Sequence, residues 1–167
     1  SQILSDTPYK KTLDVLSKVI CDLNIRLKYV DLGGGFGISY SKNDKQINLI
    51  NYAKLVNNFK KKLNCNIIFE PGRSLVGNTG ILVSKIQYIK KGLKKNFIII
   101  DAGMNDFMRT ALYDASHDIV PIIKTNKKNR ESLEFVGPIC ETSCKFSKYE
   151  KYQKIKEGDF VAITNVG

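Results

Sequence analysis

The sequence predicts an α/β region followed by a β-rich region, and three observations carry that expectation. Over residues 7–69, helical periodicity and short apolar runs alternate as helix, strand, helix, strand with short connections. Each short run leads into a turn rich in glycine or containing proline. After Gly72 the long helical periodicity ends and short apolar runs with period-two character take over.

The first helix opens at Thr7, which can cap it, with Pro8 suited to the first turn; Leu13, Leu16, Ile20 and Leu23 recur at helical spacing and Asn24 is a natural stop. Leu27 to Leu32 reads as a strand that ends in the turn Gly33 to Gly35. A second helix is expected from Ile47 to Leu63, where Leu49, Tyr52, Val56, Phe59 and Leu63 share a face. Asn66 to Phe69 is a second short buried strand. Strands joined through helices in this way run parallel, and ligands bind at their carboxyl ends. A boundary falls near Ser74 to Gly80. Beyond it, Gly80 to Lys90, Asn96 to Asp101, Leu133 to Val136 and Phe160 to Ile163 read as strands, and no internal repeat is found.

The 167 residues, 43% of them hydrophobic, suffice for an ordinary buried core and match neither a disordered nor a membrane composition. No stretch approaches the roughly 18 apolar residues of a spanning helix, so no membrane partner is expected. No charged leader opens the chain, which makes the cytoplasm the expected compartment. Ser1 in first position and a last strand running into Gly167 suggest a piece cut from a longer chain. The four cysteines, Cys21, Cys65, Cys140 and Cys144, read as free thiols. The pair Cys140 and Cys144 has only His117 upstream to help it, short of a zinc site, so no metal is expected. The net charge of +11 is almost all lysine, the arginines being Arg26, Arg73, Arg109 and Arg130. Its dispersal through loops and helix faces, with no helix-turn-helix, zinc-finger or RNP-type motif, argues for a solvated surface and against nucleic acid.

Four segments hold candidate chemistry. Gly33-Gly34-Gly35-Phe36-Gly37 follows a strand, and glycines let backbone N–H groups approach an anion closely. Ile38 stands where a dinucleotide fingerprint needs its third glycine, and no P-loop lysine follows. A plain tight turn is the alternative. Glu70-Pro71-Gly72-Arg73 puts an acid, a rigid bend, an exposed N–H and a guanidinium at the same expected rim; a Glu–Arg salt bridge is the structural alternative. Asp101 to Tyr113 begins at a strand end and reads as a short helix capped by Asn105 or Asp106, with Arg109 and Tyr113 on one face. Gly137-Pro138-Ile139-Cys140-Glu141 sets a thiol beside a carboxylate, and the hexapeptide from Val136 alone assigns a role to neither. His117, the only histidine, stays unassigned.

Taken in order, Ser1-Gln2, Gly33 to Gly37, Glu70 to Arg73, Asp101 to Tyr113 and Gly137 to Glu141 resemble the motif series of the diaminopimelate decarboxylases, among the fold-type III pyridoxal-phosphate-dependent decarboxylases. The resemblance spans essentially the whole chain. It implies the C-terminal part of an alanine-racemase-like (β/α)8 barrel followed by part of a β-domain, with residues 1–78 the last βα units and 79–167 the β-domain, both incomplete. It implies that Gly33, Gly34, Gly35, Gly72 and Arg73 hold pyridoxal 5'-phosphate by its phosphate side while Glu70 faces the pyridine nitrogen. A pyridinium kept protonated by a carboxylate is the electron sink that decarboxylation needs. It implies that Arg73, Arg109, Tyr113 and Glu141 bind the substrate, and that Cys140 is catalytic and returns the proton. The activity implied is conversion of meso-2,6-diaminopimelate to L-lysine and CO₂. Homodimers with shared active sites follow from the family, as does a Schiff-base lysine upstream of Ser1. Relatives acting on ornithine, arginine or carboxynorspermidine tend to carry a proline after the Gly-Gly-Gly-Phe run and an aspartate after the cysteine; Gly37 and Glu141 stand there instead. A non-catalytic basic anion-binding protein is the alternative of another class. Thr110 replaces a usual proline, Ser116 an aromatic and Cys144 an aspartate.

Overall fold

The computed structural model describes residues 2–40, 44–129 and 132–167, with the backbone alone at Lys128 and Asn129. Ser1, the first half of the Ser1-Gln2 motif, and Arg130 lie outside the described residues. The chain divides into two compact units, Ser1–Gly77 and Asn78–Gly167.

The first unit begins with helix α1, Thr7–Asp22. Its ladder starts at Asp6, whose carbonyl accepts from Lys10 N–H, so Thr7 is the first helical residue and not the cap expected of it. Tyr9, Leu13, Ser17 and Ile20 form its buried stripe, while Leu23 serves as an exposed C-cap. Asn24 then turns the chain at φ +49°, a left-handed conformation that asparagine tolerates better than most residues. Strand β1 is Tyr29–Asp31, shorter than the apolar run that announced it. Helix α2, Leu49–Leu63, is capped by Asn48, whose side chain accepts from Asn51 N–H at 3.1 Å, and Asn64 closes it at φ +50°. Strand β2, Asn66–Ile68, pairs parallel with β1, Val30 opposite Ile67. A four-residue helix, α3 (Arg73–Val76), ends the segment and was not anticipated. The core gathers Tyr9, Leu13, Ile20, Val30, Tyr52, Val56, Phe59 and Cys65.

The second unit is built on β3 (Ile81–Lys90), β4 (Asn96–Ile100), a five-residue helix α4 (Arg109–Tyr113), β5 (Ile119–Pro121), β6 (Lys128–Asn129), β7 (Leu133–Val136), β8 (Lys145–Tyr149), β9 (Tyr152–Gln153) and β10 (Phe160–Thr164). Six of these strands form one sheet in the order β5-β10-β3-β4-β7-β8, all neighbours antiparallel except β4 and β7. Ile86, Ile98, Ile100, Ile119, Leu133, Phe135, Val161 and Ile163 are each 2% exposed or less and form the dry centre. Strands β5, β6, β8 and β9 add to those expected. β8 lies in a stretch that its lysines made look like solvated surface, yet its Phe146 is buried while Lys145 and Lys148 face out.

Candidate functional site

Because β1 and β2 are parallel and in register, both chains turn at the same end. Leu32 N–H extends the ladder to Ile68 O (3.0 Å) and Glu70 N–H closes onto Gly33 O (2.8 Å). The Asp31 carboxylate accepts from Gly33 N–H at 2.8 Å, and the turn proceeds through Gly33 at φ +66° and Gly35 at φ +91°. Gly34 packs so tightly on the second turn that a Cβ there would stand 2.2 Å from the Glu70 carbonyl oxygen. Any larger residue would part the two turns. At Gly33 and Gly72 a Cβ would meet nothing within 4 Å. Among the described residues, the N–H groups of Gly34, Gly35, Gly72 and Arg73 donate to no acceptor. Uncommitted amides on two touching glycine turns form a surface receptive to an anion.

The Glu70 side chain is exposed and has no hydrogen-bond or ion-pair partner among the described residues. Arg73 does not pair with it, so the salt-bridge alternative for this turn is overturned. Arg73 Nη1 donates instead to Gln2 Oε1 at 3.1 Å. Gln2 also ties down the glycine segment: Ile38 N–H donates to its Oε1 at 3.1 Å and its Nε2 donates to Ile38 O. Tyr9 donates its hydroxyl to Gly34 O at 3.2 Å from an aromatic cluster with Phe36 and Tyr52. Burial raises both phenols, Tyr52 to about 12 with Tyr9 adding to the effect, so both stay neutral and Tyr9 keeps the proton it donates. Tyr9 had not been singled out, and Gln2 only as half of the Ser1-Gln2 motif with no partner named, because no local pattern marks a partner so distant in the chain.

In the second unit the parallel pair β4 and β7 delivers Asp101 and Gly137 to one end of the sheet. Ser84 donates its hydroxyl to Asp101 Oδ1 at 2.5 Å and Lys85 its N–H at 2.9 Å. Desolvation pushes the Asp101 carboxyl upward, but these bonds and the Lys85 charge outweigh it and hold the carboxyl below its ordinary range. Gly137 is wedged where a Cβ would stand 2.5 Å from Cys144 Sγ and 2.7 Å from Ala102 O. Met104 N–H donates to the buried Cys144 thiol at 3.4 Å, so the cysteine that replaces a usual aspartate still accepts a hydrogen bond. Helix α4 starts at Arg109 with no side-chain cap. Neither Asn105 nor Asp106 caps it as expected, since the Asp106 carboxylate turns back to accept from Gly103 N–H at 2.8 Å.

Arg109 and Tyr113 do share a face: the guanidinium carbon lies 5.9 Å from the ring centroid. Arg109 Nε also donates to His117 Nε2 at 3.5 Å, a contact the sequence left unassigned. Cys140 and Glu141 sit exposed on the loop after β7. Glu141 accepts from the Thr142 hydroxyl (3.0 Å) and Ser143 N–H (3.3 Å), and these bonds hold its carboxyl below the ordinary range. Thr110 and Ser116, the two other departures from the motif series, both line a cavity of about 360 Å³. Thr110 is 6% exposed and its Oγ1 has no partner among the described residues, as suits a hydroxyl introduced where a proline is usual.

A family profile described as pyridoxal-dependent decarboxylase, C-terminal sheet domain, matches residues 9–167. A diaminopimelate decarboxylase of Aquifex aeolicus is 36% identical over all of this chain and 40% of its own length. The crystal structure of diaminopimelate decarboxylase from Helicobacter pylori complexed with L-lysine superposes with a TM-score of 0.88 at 39% identity, over all of this chain and 42% of that one. A crystal structure of SrLDC in complex with PLP and cadaverine superposes with a TM-score of 0.81 at 26% identity, over all of this chain and 44% of that one. The chain thus spans about 40% of the length of the curated relatives it matches.

Proposed function

The chain belongs to the pyridoxal-dependent decarboxylases, and on that premise we propose that the whole protein decarboxylates meso-2,6-diaminopimelate to L-lysine. The observation that carries the cofactor part is the interlock of Gly34 with the Glu70 turn, which leaves four amides uncommitted on adjoining backbone. These residues fit a phosphate: its oxygens would take the N–H groups of Gly34, Gly35, Gly72 and Arg73. The exposed Glu70 carboxylate would keep a proton on the ring nitrogen. When bound, pyridoxal phosphate supplies the sink for the electron pair left as the carbon–CO₂ bond breaks.

The substrate assignment rests on both units taken separately. Diaminopimelate carries an amino-acid group at each end, so its distal end offers a carboxylate and an ammonium together. Arg109, stacked on Tyr113, suits that carboxylate, with Arg73 beside the cofactor turn as a second cation. Glu141, kept ionised by its own loop, suits the ammonium, and the exposed Cys140 next to it would return a proton to Cα. Gly37 speaks against the ornithine-type relatives. Its N–H donates to Ile3 O at 3.0 Å, a bond a proline there would lack.

The same reading makes residues 1–78 the last βα units of an alanine-racemase-like barrel and 79–167 a β-domain. A homodimer with shared sites accounts for the exposure of Cys140 and Glu141, and the reduced cytoplasm suits four free thiols. The test is turnover: full-length protein with pyridoxal phosphate releases CO₂ and L-lysine from meso-diaminopimelate, with kcat/KM at least about 100-fold above that for ornithine. Brisk turnover of ornithine and none of diaminopimelate would overturn the substrate.

A further inference from the structure

The geometry points to His117 as the positioning residue that holds Arg109 ready for a substrate carboxylate, an inference that rests on the reading of Arg109 given above. His117 is 1% exposed. Its Nδ1 lies 2.9 Å from Thr164 O; a carbonyl oxygen only accepts, so Nδ1 carries the ring proton. Nε2 of the neutral ring then presents a lone pair, and Arg109 Nε–H donates to it over 3.5 Å. The two bonds are of opposite sense and agree on one tautomer.

The imidazole is itself tightly held. Phe107 meets it edge-on at 4.7 Å and 90°, and Ser147 donates its hydroxyl to the His117 carbonyl at 2.6 Å. Thr164, the acceptor for Nδ1–H, ends β10 and is pinned to Asp118 O through both its N–H (2.9 Å) and its hydroxyl (3.1 Å). The rigidity of a central strand thus reaches a side chain carried on a helix of only five residues. An unrestrained arginine loses rotamer freedom when a ligand fixes it. Held beforehand between His117 and the Tyr113 ring, Arg109 loses less on binding. With Nε donating to the imidazole, a carboxylate is met through the Nη1–Nη2 edge, whose plane the histidine sets.

The experiment uses the full-length holoenzyme. His117→Leu should raise KM for diaminopimelate about tenfold while kcat and cofactor affinity stay within about twofold. His117→Gln, which keeps an acceptor within reach of Arg109, should recover most of that loss. Added to Arg109→Ala, His117→Leu should bring no further rise, since both remove one interaction. An unchanged KM in folded His117→Leu, or full additivity with Arg109→Ala, would overturn the role. If His117→Leu fails to fold, His117→Gln against His117→Asn decides, because asparagine is too short to reach; equal KM values for the two overturn it. Should Arg109→Ala alone leave KM unaltered, the substrate role of Arg109 falls, and this inference falls with it.

Discussion

The strand pairs β1–β2 and β4–β7 are both parallel, and each ends in two turns locked by a glycine, Gly34 in the first and Gly137 in the second. Their surroundings differ. β4 and β7 lie inside a six-stranded sheet, with Ile98, Ile100, Leu133 and Phe135 each 1% exposed or less. β1 and β2 form a sheet of two, and Tyr29, Ile68 and Phe69 beside them remain 52%, 44% and 43% exposed. Parallel strands are ordinarily covered on both faces. The comparison teaches that one turn geometry serves two ends: in the first unit it leaves backbone donors unspent, while in the second it closes loops over a buried core.

Alanine at the two locking glycines should separate these ends. In the full-length protein, Gly34→Ala drives a Cβ into the Glu70 carbonyl and should weaken cofactor affinity about 100-fold, close to 3 kcal/mol. Gly33→Ala is its control: φ is +66° but a Cβ meets nothing, so the expected cost is about 1 kcal/mol of backbone strain with cofactor affinity little changed. Equal losses at the two positions would show that the interlock is not what matters. Gly137→Ala should act on stability instead, by about 1–3 kcal/mol read from the denaturation midpoint, because Sγ and backbone must move aside.

A smaller effect sharpens the account of the second unit. Ser84→Ala removes a buried donor to Asp101 and should cost about 1 kcal/mol at neutral pH. The folded Asp101 carboxyl titrates below its unfolded value. Its stabilisation is therefore complete above the ordinary carboxylate value of about 4 and is lost as pH falls through the folded value. Denaturation midpoints followed from neutral to acid pH should fall less steeply in Ser84→Ala than in the parent; identical acid slopes would break the link between Ser84 and this carboxyl.

Much of the architecture was legible where a single element carries its own period. Leu13 and Ile20 of α1 and the face Tyr52, Val56, Phe59 of α2 could be read directly, as could β7, whereas Tyr9 and Ser17 joined the α1 stripe unannounced and Leu23 lies exposed. What escaped depends on partners. Lys145–Tyr149 becomes a strand by pairing with β7, and its lysines hide the alternation that buries Phe146. Ile119–Pro121 is an edge strand ending in proline. Asp106 had two uses for its carboxylate, and the backward bond to Gly103 won over the cap. The motif glycines, acids and arginines stood out by type, whereas Gln2, Tyr9 and Ser84 reach partners 71, 25 and 17 residues away. Those separations are set by β-pairing and helix packing, which no local window contains.

The most direct test is a crystal structure of the full-length protein grown with pyridoxal phosphate. Phosphate oxygens are expected within about 3.2 Å of the Gly34 and Gly35 amides and of at least one from Gly72 and Arg73, with the Glu70 carboxylate at the pyridine nitrogen. A phosphate anchored elsewhere, with those amides facing water, would contradict the account.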